Sequence, residues 1–388
     1  MKSLLRELIA LFLKLGFTAF GGPAAHIALM KEEVVMRRRW MSEAEFIDLL
    51  GASNLLPGPT STQLAIHIGY RRARWAGLVA AGVCFIAPAA ALVLLCAWAY
   101  RKYGALPQTQ AVLYGMKPVI IAIIVRAIRE LGGTAVKSGF SVVIGLAALA
   151  LALAGVDVLL LLFSAGALAA TIHSLKAPRR RSPRALLPMY AITAAMIALP
   201  DALTRLGRGS GHAAYSLARL FTFFLKVGMT LFGGGYVLVA FLRDGLVYQW
   251  HWLTEAQLLD AIAVGQFTPG PLFTTATFVG YLIGSFPGAL IATVAIFLPS
   301  FLLIAISGPI LPIVRRSALA GAFLDGVNVA ALALIAAVTV QLGRTALVDG
   351  FTTGIALIAA VMLLRYRPHP VWLIAAGAMC GMARQRFW

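Results

Sequence analysis

Charge is what this sequence has little of. Only 12% of its 388 residues are charged, and acids are the scarcer sign, 14 against 33 basic residues. A soluble domain needs a polar shell. With 61% of residues hydrophobic and a mean hydropathy of +0.88, none can be assembled here. The same shortage argues against nucleic-acid binding, because the net charge of +19 has no soluble surface to present it. Cysteine is scarce as well. Cys84, Cys96 and Cys380 lie in apolar runs without CxxC spacing, so neither a disulfide framework nor a thiolate metal site is expected. The histidines form no HExxH and no His/Cys cluster, and no GxxxxGK[ST] phosphate loop occurs. No metal, cofactor or built-in ATPase is expected. Any transport must draw on an ion gradient or on the substrate's own.

What is present is long apolar sequence. Leu78–Ala99, Ser141–Leu162, Ala289–Pro309 and Phe351–Leu364 are nearly free of charge and read as membrane-spanning helices. A β-barrel would instead show short alternating segments. The expected fold is an all-α polytopic membrane protein. Basic clusters at Arg37–Arg39, Arg71–Arg74 and Arg179–Arg181 lie between apolar runs, where the positive-inside rule places cytoplasmic loops. Lys2 and Arg6 ahead of an apolar run resemble a signal peptide. The same segment recurs near Phe224, so it is expected to belong to the fold and not to be cleaved.

That recurrence organises the whole chain. "FLKLGFTAFGG" from Phe12 returns as "FLKVGMTLFGGG" from Phe224. An offset of 212 aligns residues 12–59 with 224–271 without a gap, and an offset of 211 carries the match on through Gly77 and Gly288, Pro88 and Pro299, and Gly115 and Gly326. Three parts follow: a first repeat over 1–174, a basic linker with one extra apolar segment (Ala185–Leu199) over 175–216, and a second repeat over 217–388. Internal repeats in a membrane protein point to a transporter whose site lies between the halves. "YRRARWAG" in the first half stands against "YLIGSFPG" in the second, so the halves are expected to be inverted, with the extra segment supplying the flip.

Each half carries two helix breakers: Gly21-Gly22-Pro23 with Gly233-Gly234-Gly235, and Pro57-Gly58-Pro59 with Pro269-Gly270-Pro271. The apolar piece Glu45–Leu56 has 12 residues, about 18 Å of helix against about 30 Å of hydrocarbon. It suits a re-entrant hairpin or a discontinuous helix. Ser42-x-x-Glu45 and Thr254-x-x-Gln257 read as matched capping boxes, which gives Glu43 and Glu255 a helix-start role. Pro59 and Pro271 read as first residues of new half-helices, followed by Thr60, Ser61 and Thr62 in one copy and Thr274 and Thr275 in the other. Free N–H groups at a helix start suit an anion, and neighbouring hydroxyls add donors. The plainer reading is that Gly and Pro kink helices or let them pack closely.

Lys14 and Lys226 occupy one repeat position inside apolar sequence, where a lysine costs about 2.5–3.5 kcal/mol at a helix centre. They are expected to face each other across the pseudo-two-fold and attract an anion. Alternatively each snorkels to head groups. Asp48 and Asp260 read as proton-coupling carboxylates, as counter-ions to the lysines, or as plain helix-start acids. Arg126 and Arg129 read as a helix end paired with Glu130. Lys117 and its mate Asn328 are second-tier candidates for lining the path.

The paired "FGGP" and "FGGG" stretches, each followed by W-(M/L)-(S/T)-E and then "LPGP" or "TPGP", resemble the chromate ion transporter family in its long, two-domain form. The resemblance implies a bacterial or archaeal inner-membrane protein that exports chromate and confers chromate resistance, energised by the proton gradient or membrane potential. Sulfate is the look-alike competitor. Onto this chain it carries Lys14, Phe20, Gly21, Gly22, Pro23, Trp40, Pro57, Gly58, Pro59 and their second-half mates, and Gly235 in place of a second Pro23 breaks the symmetry. Expected partners are a small inorganic oxyanion and the lipid bilayer, with a homodimer as one assembly. A passive anion channel is the second reading. A membrane enzyme such as a chromate reductase is the third, and no cofactor motif supports it.

Overall fold

A computed structural model describes residues 2–176, 215–232, 234–366 and 368–387. The extra segment Ala185–Leu199 and Gly233 lie outside the described residues. The fold is all helix. The first repeat runs α1 (Lys2–Thr18), α2 (Gly22–Lys31) with a π turn over Glu32–Arg37, α3 (Glu43–Asn54), α4 (Thr60–Tyr103), α5 (Pro107–Ala135), α6 (Gly139–Leu153) and α7 (Val158–Lys176). The second runs α8 (Leu217–Thr230), α9 (Val237–Leu242) with a π turn over Arg243–Gln249, α10 (Glu255–Phe267), a 3-10 turn over Leu272–Thr274, α11 (Thr275–Arg316), α12 (Ala318–Ala346), α13 (Gly350–Arg365) and α14 (Pro370–Phe387). Thr60–Tyr103, Pro107–Ala135, Val158–Leu175, Leu272–Ile306 and Ala318–Ala346 are long and apolar enough to cross a membrane.

Two of the apolar runs do not form single spans. Ser141–Leu162 is divided between α6 and α7, because Gly155 takes a φ of +83° and the Asp157 side chain caps the next helix. Phe351–Leu364 lies in a helix of only 16 residues, short of a full span.

The two repeats fold alike down to their backbone turns. In α1 the residues Leu8, Leu11, Phe12 and Leu15 form a buried stripe at helical spacing, and their mates Leu220, Phe223, Phe224 and Val227 do the same in α8. The stripes pack on α4 and α11 respectively. Both expected capping boxes form, at Ser42/Glu45 and Thr254/Gln257. Four side-chain-bearing residues adopt left-handed φ between +51° and +54°, at paired positions: Arg39 with His251, and Arg74 with Ser285. At Arg74 and Ser285 the long helices α4 and α11 fold back on themselves. Gly69 and Gly77 flank the first of these turns. A Cβ on Gly69 would lie 2.2 Å from the Gly77 carbonyl oxygen, and one on Gly280 would lie 2.4 Å from that of Gly288. Only glycine allows backbones so close.

The fold-back makes each α3–α4 and α10–α11 segment a helical hairpin with Pro-Gly-Pro at its tip. Arg71, at the end of the returning arm, pairs with Glu45 at the start of the entering arm at 2.9 Å, and Arg72 lies over Trp40. The base of the first hairpin is thereby closed. In the second, Tyr215 stacks edge-on against Trp252 and sits against Gly284. The later parts of α4 and α11 cross in opposite directions: Phe301 packs on Gly82, Ile304 joins Ile66 and Leu78, and Arg101 donates to Ser285 at 2.5 Å. The base of the second hairpin therefore lies at the far end of the long α4 segment from the base of the first.

The remaining helices are exchanged. α5 of the first repeat packs on α13 and α14 of the second, while α12 of the second packs on α6 and α7 of the first. Gly115 makes the first exchange close: a Cβ there would meet the Gly377 carbonyl oxygen at 2.0 Å. Gly326, its mate, meets the Ala165 carbonyl in the same way, at 2.4 Å.

Candidate functional site

The hairpin tips meet at the centre of the fold through reciprocal backbone bonds. Gly58 N–H donates to the Leu231 carbonyl at 2.8 Å, and Gly270 N–H donates to the Ala19 carbonyl at 2.9 Å. These four residues are two repeat pairs. Each tip is thus fastened to the end of the other half's first helix. Both tip glycines have left-handed backbones, φ +121° at Gly58 and +92° at Gly270. A Cβ on Gly58 would strike Ser300 Oγ, and one on Gly270 would strike Ala89 Cβ. Ala89 and Ser300 are themselves repeat mates.

Behind each tip a helix begins. Pro59 stands at the N-cap of α4 and not one residue inside it, and Pro271 precedes a 3-10 turn before α11 starts at Thr275. The expected N1 placement is corrected by one position. The hydroxyls differ between the tips. Thr274 Oγ1 donates to the Pro271 carbonyl and Thr275 Oγ1 to the Leu272 carbonyl, both at 2.8 Å. In the first tip, Thr62 Oγ1 is fully buried with no hydrogen-bond partner among the described residues, as are Gln63 Oε1 and Ser300 Oγ. Thr60 opens α4 and is half-buried. Ser61 is reached by His26, whose ring lies 3.3 Å from Ser61 Oγ and 3.0 Å from the Ala19 carbonyl oxygen. Pro57 accepts a bond from Gln63 Nε2, and Pro269 is buried beside its own tip glycine.

The Gly-rich breakers behave as expected where they are described. Gly21, Gly22 and Gly234 all have positive φ, and α2 starts at Gly22. A Cβ at Gly22 or Gly234 would meet nothing within 4 Å, so these two serve the turn and not a close contact.

The ionisable residues are arranged differently from expectation. Lys14 Nζ is 2.8 Å from Glu33 Oε1 on its own half's π turn, and Glu33 is also bonded by Arg37 and Arg38. The counter-ion in contact with Lys14 is Glu33. Lys226 has Asp244 of its own π turn in its electrostatic neighbourhood. Asp48 is exposed on α3. Its mate Asp260 is buried, and Lys117 Nζ stands 3.2 Å from its Oδ1 while Tyr100 donates to Oδ2 at 3.0 Å. Asp260 is a counter-ion, but to Lys117. Asn328 is half-buried on α12 at the position equivalent to Lys117. Arg126 pairs with Glu130 at 2.8 Å as expected of a helix end. No cluster of metal-ligating side chains occurs among the described residues.

Sequence reasoning missed Glu33, Tyr100, His26, Gln63 and Ser300. Ser300 and Tyr100 had no repeat signal to give, since their mates are Ala89 and Leu311. Glu33 is one of two adjacent acids in the stretch KEEVVMRRRW, and its mate is Gly245.

The arrangement offers two helix starts and buried hydroxyl donors in one apolar frame, which suits a small anion. Comparison with known proteins points the same way. The sequence pattern of the family described as chromate transporter matches residues 6–171 and again 218–382. A chromate transport protein of Cupriavidus metallidurans is 33% identical over 96% of this chain and 91% of its own length. A probable chromate transport protein of Synechococcus elongatus is 35% identical over 99% of this chain and 96% of its own. A chromate transport protein of Pseudomonas aeruginosa is 33% identical over 97% and 91%. No solved structure matches the chain.

Proposed function

The chain belongs to the chromate transporter family, and on that premise we propose that it is a secondary transporter that exports chromate. It is a multi-pass protein of the cell membrane, and its relatives are transport proteins and not enzymes. The observation that carries the site reading is the reciprocal pair of bonds between hairpin tips, Gly58 N–H to Leu231 and Gly270 N–H to Ala19. Irregular backbone at membrane depth is tolerated only when buried or lining a cavity. Here it places two helix starts at one central point, with Thr60, Ser61, Thr62, Ser300, Thr274 and Thr275 around them.

In this reading a tetrahedral dianion is held at the tips by backbone N–H groups and hydroxyls, and Lys14 and Lys226 supply the attracting charge. The opposed hairpin bases, and the antiparallel crossing of α4 and α11, support inverted repeats that alternate access by moving against each other. Discrimination from sulfate rests on size and hydrogen-bond geometry, since Coulomb attraction serves both anions. Asp48 and Asp260 are the candidate coupling carboxylates.

The test is uptake of radiolabelled chromate and sulfate into proteoliposomes of defined orientation, with and without proton and electrical gradients. Outward-directed chromate flux that rises with the gradient is expected. Equal flux of both anions that ignores the gradients would replace the transporter with a passive anion channel.

A further inference from the structure

The cluster around Asp260 joins the two halves and has no equivalent on the other side of the pseudo-two-fold. Asp260 sits on α10 in the second hairpin, 3% exposed. Its polar contacts come from the first repeat: Lys117 on α5 and Tyr100 at the end of α4. α9, α11, α12, α14, the π turn over Arg243–Gln249 and the 3-10 turn also pack on α10. Arg243 of the π turn is paired with Glu255, and Asp244 lies beside Lys226 and Arg243. Among the described residues none of these elements brings a charged side chain within ion-pair distance of this carboxylate. The mates of the three residues are Asp48, Asn328 and Leu311. Asp48 is exposed, and neither Asn328 nor Leu311 can carry charge. The acid recurs at Asp48 without a lysine or tyrosine at the equivalent positions.

A carboxylate buried this deep, against a half-buried ammonium, is costly unless each has the other, so the two charges are bound to a common fate. Lys117 is also poorly anchored by its own helix. Pro118 follows it inside α5, so the backbone bond to the carbonyl four residues earlier is missing and the helix is loosened at that point. No hydrogen bond other than the contact with Asp260 holds Lys117 Nζ among the described residues.

Resting on the oxyanion-transport reading above, we infer that Lys117 is shared between Asp260 and the transported oxyanion, and that protonation of Asp260 hands it over. In the empty state Lys117 neutralises the Asp260 carboxylate. When the carboxylate takes a proton from the aqueous phase, it becomes a neutral acid, and the ammonium is free for the dianion. The loaded cluster then carries one net negative charge and the empty cluster none. An inside-negative membrane potential drives such a cycle outward. Tyr100 is a positioning residue, because its hydroxyl steadies the ionised form of Asp260.

The experiment measures binding of radiolabelled chromate to the purified full-length protein across pH, with labelled sulfate alongside. Chromate's own protonation affects every variant alike, so the readout is the difference from wild type. Asp260→Asn should bind more tightly than wild type at high pH, by about tenfold for one freed charge-assisted contact, and should converge with it at low pH. Lys117→Gln should bind about tenfold more weakly at low pH, where wild type binds best. Tyr100→Phe should move the wild-type midpoint to higher pH, since the ionised carboxylate loses a donor. The double variant Lys117→Gln/Asp260→Asn removes both charges together and covers the case in which a single variant does not insert. It should bind as weakly as Lys117→Gln alone at every pH. Asp260→Asn that tracks wild type throughout, or a double variant that binds like wild type at low pH, overturns the inference. A wild type that binds neither anion overturns the transport reading itself.

Discussion

The two hairpin tips share a backbone and differ in their side chains. Both have a left-handed glycine between prolines, and both donate to the end of the other half's first helix. At the second tip the hydroxyls are turned back onto their own chain, on the carbonyls of Pro271 and Leu272. At the first, Thr62 Oγ1 and the adjoining Ser300 Oγ are buried and find no partner among the described residues. A buried donor without a partner costs about 1–3 kcal/mol. A fold that could close those bonds at one tip, and did not at the other, has left the first tip open to something else. The frame of the site is symmetric and its chemistry is not.

Four sets of substitutions test that contrast and its surroundings, in falling order of effect. Gly58→Val and Gly270→Val strike what the tips share. Each forces a β-branched residue into a left-handed backbone and against Ser300 Oγ or Ala89 Cβ. Both should abolish chromate uptake by proteoliposomes, and uptake surviving in only one would break the symmetry of the frame. Lys14→Ala and Lys226→Ala come next. Each should lose most uptake, about tenfold or more, while inserting normally in membrane fractions. Wild-type uptake by either variant would make that lysine a head-group anchor.

The hydroxyls should separate the tips. Thr62→Val with Ser300→Ala should weaken chromate binding severalfold, whereas Thr274→Val should leave it near wild type, as read by equilibrium binding. Equal losses would return the chemistry to the two-fold. The smallest effect is expected far from the tips, at Asp349, which caps α13 and holds Tyr114 and Arg384. Its carboxyl is kept well below the usual range, first by the Thr352 amide and then by Tyr114 and Arg384. A lowered value in the folded state means the stabilisation is full above about pH 4 and fades as pH falls toward the lowered value. Asp349→Asn should therefore lower the melting temperature slightly at neutral pH, and the gap should close in acid.

The frame was legible in the sequence because glycine and proline state backbone geometry directly. Pro-Gly-Pro at 57–59 and 269–271, the Gly-Gly breakers and the capping boxes all mark real interruptions or starts of helix. Aligning one half on the other made each of these count twice. Partners were not legible, because a charge does not announce what it faces. Lys14 was read with Lys226 in mind and is bonded to Glu33. Asp260 was read as an acid that could serve Lys226 and is bonded to Lys117, 143 positions away in the chain. Asymmetry was the hardest to see. Tyr100 and Ser300 matter where their mates are apolar, and the repeat that exposed the frame hid what only one copy contains. The division of Ser141–Leu162 into two helices was missed for a simpler reason: one glycine and one capping aspartate are a faint signal in a run otherwise uniformly apolar.

The exchange of end helices has a consequence for how the protein is made. α5 packs on α13 and α14, which begin 215 positions and more beyond its end at Ala135. At translation rates of about 5–20 residues per second, α5 waits on the order of tens of seconds in the bilayer before its partners emerge. During that interval the first repeat, with its glycine face and its lone Lys117, stands without the surfaces that will cover it. The insertion machinery that shelters it must hold an unfinished half until α13 and α14 arrive.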